Sequence, residues 1–167
     1  MDSEQLFSQA TLLAVTALEH LASVAKARSL ILKDALSSCI SLLSGFNSAV
    51  QLCALGVLQS LSQDSKGRDV ICQAGVTAPL VSLVESGDDP VQQSALRVLR
   101  ALATDRDKCK AFVDTDAVQA VLPLIFSAHP ETQADAMGVL GAVSVQLADP
   151  DVLAGACNWS TIKALAL

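Results

Sequence analysis

Ala54-Leu55-Gly56-Val57-Leu58-Gln59-Ser60-Leu61 is answered 41 residues later by Ala95-Leu96-Arg97-Val98-Leu99-Arg100-Ala101-Leu102. After another 41 residues comes Ala136-Met137-Gly138-Val139-Leu140-Gly141-Ala142-Val143. A fourth copy, Ala14-Val15-Thr16-Ala17-Leu18-Glu19-His20-Leu21, lies 40 residues upstream of the first. So regular a period within 167 residues points to a repeat architecture. One unit of such an array cannot bury its own apolar faces, so units must stack. Apolar residues at i, i+3, i+4 and i+7 mark one buried stripe along a long helix.

The pattern continues between the copies. After each long helix comes a basic turn (Arg28, Arg68, Lys110), then a short apolar segment such as Val70-Ile71. A break at Ala74-Gly75 precedes a second helix through Pro79-Leu80-Val81-Ser82-Leu83-Val84. Ser86-Gly87-Asp88-Asp89-Pro90 then reads as a turn, punctuated by Gly and Pro, with acids suited to a helix start. Each unit is therefore expected to run short helix, helix, long helix. Pro123 falls inside a predicted second helix and should kink it or shift its start. The chain opens near a third helix, at about residues 5–25, and closes in a second helix, Thr161 to Leu167. That predicts three full units with incomplete ends.

Gly75-Val76-Thr77-Ala78-Pro79-Leu80-Val81-Ser82-Leu83-Val84, followed by Gly87-Asp88-Asp89-Pro90-Val91-Gln92-Gln93-Ser94-Ala95-Leu96, resembles the armadillo repeat. That family has a glycine before its second helix, a polar turn, then Val-Gln and an Ala-Leu opening in its third helix. The resemblance covers essentially the whole chain, best over residues 51–145. HEAT repeats, with two helices per unit, are the near alternative, and the Gly75 break favours armadillo. The resemblance implies an all-α, right-handed solenoid of about four repeats, three helices in each. The expected organisation is one armadillo-repeat domain over residues 1–167, with approximate repeats 1–49, 50–90, 91–131 and 132–167.

Composition agrees with this class. Hydrophobic residues make up 51% and charged residues 17%, which excludes a disordered chain. Aromatics are only 3%, with no Tyr and the single Trp159. A core of Leu, Val and Ala suits closely packed helices. The net charge of −6 argues against a protein that tracks nucleic-acid phosphates. Cys39, Cys53, Cys72, Cys109 and Cys157 form no CxxC pair, and no His lies near them at metal-ligand spacing. They read as small core residues of a reducing compartment, cytoplasmic or nuclear. The acidic start Met1-Asp2-Ser3-Glu4 lacks the positive charge of a signal peptide, and Leu12 to Leu18 is too short to span a bilayer. Asn158-Trp159-Ser160 matches a glycosylation acceptor in form only, since nothing else suggests secretion.

In armadillo proteins the third helices line a concave groove that receives extended peptides, often through a Trp early in the helix and an Asn four residues later. The positions that align here are Thr16 with His20, Gly56 with Ser60, Arg97 with Ala101, and Gly138 with Ala142. No Trp or Asn is retained, so peptide capture in the manner of nuclear-import receptors is not expected. One stretch of groove instead carries Gln93, Arg97, Arg100 and Thr104 on a single helical face. The next carries Ala134, Gly138, Gly141, Ala142 and Val145, a nearly smooth apolar floor, and Gln59 occupies the groove one repeat earlier. Two glycines within a helix cost about 1 kcal/mol each relative to Ala. Close approach of another backbone would offset that cost. One reading is a shallow groove for a partner peptide or helix with small apolar residues, its carboxylate gripped by Arg97 and Arg100. The other is that the glycines make room for neighbouring helices and the arginines are solvated.

Seven of the eleven basic residues (Lys26, Arg28, Lys66, Arg68, Arg106, Lys108, Lys110) fall in turns after third helices. Glu85, Asp88, Asp89 and Glu131 lie at the opposite edge, where those helices begin. Helix dipoles account for both edges without a ligand, although a basic edge could also meet an acidic partner. Asp105, Asp107, Asp114, Asp116, Asp149 and Asp151 fall in turns and read as helix caps rather than metal ligands. His20 and His129 have no catalytic partner at a recognisable spacing. No phosphate loop, HExxH or GxSxG is present. The sequence therefore predicts no catalysis, no cofactor and no metal. A protein-binding scaffold is the leading function. The alternatives are a regulatory co-chaperone, like the small armadillo-like proteins that promote nucleotide exchange on Hsp70 chaperones, or a structural, self-associating segment. The apolar Leu6-Phe7 and Ala164 to Leu167 favour the last, as a homo-oligomer or an intramolecular contact.

Overall fold

A computed structural model describes residues 3–23, 34–85, 88–105 and 116–147. All regular structure among them is helical. The helices are α1 (Ser3–Ser23), α2 (Leu36–Leu43), α3 (Ser48–Leu61), α4 (Ser65–Gln73) and α5 (Thr77–Glu85). They continue with α6 (Asp89–Leu102), α7 (Ala117–Val121), a 3₁₀ segment (Leu122–Phe126) and α8 (Pro130–Leu147). The long third-type helices are α1, α3, α6 and α8. The expected order of short helix, helix, long helix is described once without interruption, in α4, α5 and α6. The basic turns at Lys26, Arg28, Arg106, Lys108 and Lys110 lie outside the described residues. So do Gly87 of the predicted turn, Cys109, Cys157, Asp107, Asp114, Asp149, Asp151, and everything from residue 148 onward, including Trp159 and the apolar Ala164 to Leu167.

The chain packs as two compact units, Met1–Pro79 and Leu80–Leu167. In the first, α1 and α2 both pack on α3, and α4 meets the end of α3. Val50, Ala54, Leu55, Val57, Leu58 and Leu61 of α3 are buried, as are Val15, Leu36, Cys39, Leu43 and Ile71 around it. Each such Leu or Val contributes roughly 1.5–3 kcal/mol by leaving water. Burial also pushes the Cys39 thiol pKa above its ordinary value, as expected of a structural cysteine. Asn47 starts α3 by accepting hydrogen bonds from the amides of Ala49 at 3.0 Å and Val50 at 3.2 Å. Asp64 caps α4 through the amide of Gly67 at 2.7 Å. Gly67 itself stands so close to the Leu61 carbonyl that a Cβ there would overlap it. Arg68 donates from Nη1 to the Ser62 carbonyl at 2.9 Å, a cation at a helix C-terminus.

Between first and second helices the chain must reverse within two residues. Gly75 does so with φ +74°, the left-handed conformation that glycine adopts without a Cβ penalty. One repeat later Asp116 takes the same position with φ +56°, which Asp tolerates better than most residues. The helix after it is disrupted in the way Pro123 predicts. α7 ends at Val121 and the chain tightens into the 3₁₀ segment, because proline lacks the N–H an α-helix would use there.

In the second unit α8 packs on α6, on the 3₁₀ segment and on α7. α6 buries Val91, Gln92, Ala95, Leu96, Val98, Leu99 and Leu102 on one side. A glutamine fixes the junction from second to third helix in every copy. Gln51 Nε2 donates to the carbonyls of Leu43 at 3.0 Å and Gly45 at 2.7 Å. Gln92 Nε2 donates to Val84 at 2.7 Å, and Gln133 Nε2 to Ile125 at 2.6 Å. The last carbonyls of a helix have no partner within it, and here a side chain at the start of the next helix supplies one.

Candidate functional site: the α6–α8 seam

α6 turns Gln93, Arg97 and Arg100 towards α8, as the shared face of the sequence pattern requires. Arg97 Nε lies 3.0 Å from Asp135 Oδ2, and Arg100 Nη1 lies 3.7 Å from Asp135 Oδ1. One carboxylate therefore serves two guanidinium groups. Its side chain is only 12% exposed, whereas those of Arg97 and Arg100 are 41% and 51% exposed. Above this triad Gln93 Nε2 donates to the buried Thr132 Oγ1 at 3.3 Å. Below it Gln146 Nε2 donates to the Thr104 carbonyl at 2.8 Å. The seam is a polar ladder with the ion triad at its middle.

Gly138 is filled from within the protein. A Cβ on it would stand 2.9 Å from Arg100 Cδ and 3.2 Å from Nη1, so the arginine stem crosses the glycine. Gly141, one turn further on, has open space around it. Val145 is 75% exposed and Met137 52%, with Ala142 half-buried between them. Of the predicted groove residues, Gln93, Arg97, Arg100, Thr104 and Gly138 meet at this seam, while Gly141, Ala142 and Val145 continue along α8. Gln59 is exposed on α3 in the other unit.

The first unit repeats the same interlock with different chemistry. Thr16 Oγ1 lies 3.5 Å from Cys53 Sγ, and the Glu19 side chain occupies the space a Cβ on Gly56 would need. Thr16 and Arg97 hold equivalent repeat positions, as do Glu19 and Arg100. Each third helix thus reaches the next at the repeat length less one helical turn.

That offset explains what sequence reasoning missed. Asp135, Thr132, Gln133, Met137 and Gln146 were not singled out, because residues were compared at the full repeat period. Asp135 lies 38 residues after Arg97, which the repeat length less a turn would have picked out. His129 also gains a partner that spacing did not reveal, with its Nε2 2.9 Å from Asp89 Oδ2. Both side chains are substantially exposed (58% and 40%), so the pair contributes little. His20 is exposed on α1. Among the described residues no group of three or more His, Cys, Asp or Glu could hold a metal ion. Nor is any described helix long and apolar enough to cross a membrane.

A family model described as Armadillo-like matches residues 3–140, and the chain belongs to that family. Among solved structures it is similar to an engineered protein, with 29% identity over 83% of this chain and 58% of that one, at a TM-score of 0.77. It therefore spans less than two thirds of that protein's length. A designed armadillo repeat protein in complex with the peptide (KR)4 matches at 19% identity, over 84% of this chain and 59% of that one, with a TM-score of 0.74. The armadillo repeats only protein from Plasmodium falciparum matches at 22% identity, over 88% and 67% of the two chains, with a TM-score of 0.75. These last two speak for the fold alone, and they are armadillo proteins, not HEAT proteins. No curated protein matches the chain.

Proposed function

We propose that this chain is a non-catalytic protein-interaction module, working without a cofactor in the cytoplasm or nucleus. In this reading it holds a peptide or helix of a partner protein along its third helices, with the α6–α8 seam as the principal contact. The observation that carries it is the pair of arginines anchored on Asp135. A nearly buried carboxylate fixes Arg97 and Arg100 while about half of each side chain stays in solvent. A guanidinium has five N–H donors, so most remain available. Two cations against one anion leave a net positive spot on a chain of net charge −6. A partner carboxylate fits that spot, and small apolar residues fit beside it over Gly141, Ala142 and Val145. The designed relative was solved with a basic peptide; the charge at this seam supports an acidic occupant.

The test is a peptide-library display selection on the wild type, counter-screened with Arg97→Gln/Arg100→Gln. Glutamine is preferred to glutamate here, because two further carboxylates beside Asp135 would strain the seam. The expected result is enrichment of peptides pairing an acidic residue with small apolar ones, lost on a double variant of unchanged helicity. No enrichment, or peptides that bind both proteins equally, would refute the reading.

A further inference from the structure

Equivalent positions of the four third helices should have equivalent surroundings, and at two places they do not. Val57 and Leu61 of α3, Val98 and Leu102 of α6, and Val139 and Val143 of α8 are all at most 2% exposed. Their counterparts on α1 are Ala17 and Leu21. Ala17 is exposed and Leu21 is 51% exposed, with Leu13 on the same side at 72%. The mirror case is on α8. Val15, Leu55 and Leu96 are buried, whereas their counterpart Met137 is 52% exposed and Val145 on the same helix 75% exposed.

The register says what covers such faces. Wherever a third helix is followed by another in the same unit, its outgoing side meets the incoming side of the next, as Arg97 meets Asp135 and Glu19 crosses Gly56. α8 shows an unmatched outgoing side and α1 an unmatched incoming side. The two are also chemically matched. The seams within the units use Glu19, Arg97, Arg100 and Asp135, but Met137, Gly141 and Val145 face out with no charge among them, and so do Leu13, Ala17 and Leu21. A charged partner helix would lose solvation against either face, whereas each supplies the apolar surface the other lacks.

We propose that the chain associates head to tail, with α1 of a second copy docking on the outgoing side of α8. The register then sets the second copy's Thr16 against Gly141, as Arg100 sits against Gly138. The two faces differ, so the contact is heterologous and does not close in a dimer, and open chains grow with concentration. This inference stands apart from partner binding, although both use Gly141 and Val145.

Light scattering coupled to size exclusion tests it on the chain as it is, from micromolar to millimolar concentration. The mass of the wild type is expected to rise with concentration. Leu13→Glu blocks only the α1 face and Val145→Glu only the α8 face, both at exposed positions. Each variant alone is expected to stay monomeric. An equimolar mixture is expected to form dimers and nothing larger, because one intact pair of faces survives. That mixture also shows that both variants are folded. A wild type that remains monomeric throughout, a variant that dimerises by itself, or a mixture that stays monomeric would each overturn the proposal.

Discussion

Gly138 and Gly141 lie one turn apart on α8, yet a methyl group would meet different neighbours at each. At Gly141 it meets nothing within 4 Å, so Gly141→Ala gains only helix propensity, roughly 0.5–1 kcal/mol. At Gly138 it meets the stem of Arg100 at 2.9 Å. That stem is flexible and can move, but moving it gives up a half-exposed ion pair worth about 0–1 kcal/mol. Urea unfolding should therefore show Gly141→Ala stabilised and Gly138→Ala close to wild type. Equal gains at both positions would mean that Arg100 does not hold its place over Gly138. At this scale the sequence marked the right residues for half of the reason. Glycines within a helix signal close approach. Which group approaches depends on the stagger between neighbouring helices, and Asp135 was invisible for the same reason.

At the scale of elements, the helices were legible because their apolar periodicity repeats, and α1, predicted at about residues 5–25, forms at Ser3–Ser23. The junctions were less so. Val-Gln was noticed as a family signature, but its work is done on a carbonyl eight residues back, as in Gln92 to Val84. Nor does a left-handed Asp116 announce itself as Gly75 does, since Asp also reads as an ordinary cap. The glutamine bond gives a graded prediction. Gln92 is buried, and removing its side chain leaves the Val84 carbonyl without this donor, a cost of roughly 1–3 kcal/mol. Gln51 and Gln133 are only half-buried, and water can replace part of what they give. Denaturant midpoints should fall most for Gln92→Ala and less for Gln51→Ala and Gln133→Ala. If all three lose the same stability, burial does not govern the strength of this bond.

At the scale of the whole molecule, a net charge of −6 surrounds a locally positive seam, and the two act over different ranges. The contact between a partner carboxylate and Arg97 or Arg100 operates at a few ångströms, where salt screens it weakly. The overall field acts beyond the Debye length, which is about 20 Å at 0.02 M salt and about 7 Å at 0.2 M. A selected peptide of net negative charge is therefore repelled on approach and held on contact. Raising the salt over that interval should raise its association rate by a factor of about 2–5. Its dissociation should quicken too, as the ion contacts weaken. A net positive peptide should behave in the opposite way on approach, associating more slowly as salt rises. Stopped-flow mixing on the wild type and on Arg97→Gln/Arg100→Gln separates the contributions. The double variant removes the contact and makes the chain more negative, so the acidic peptide should associate more slowly, dissociate faster and respond more steeply to salt. An association rate for the acidic peptide that falls with salt would mean that local attraction dominates the encounter. The seam would then act as a steering site as well as a grip.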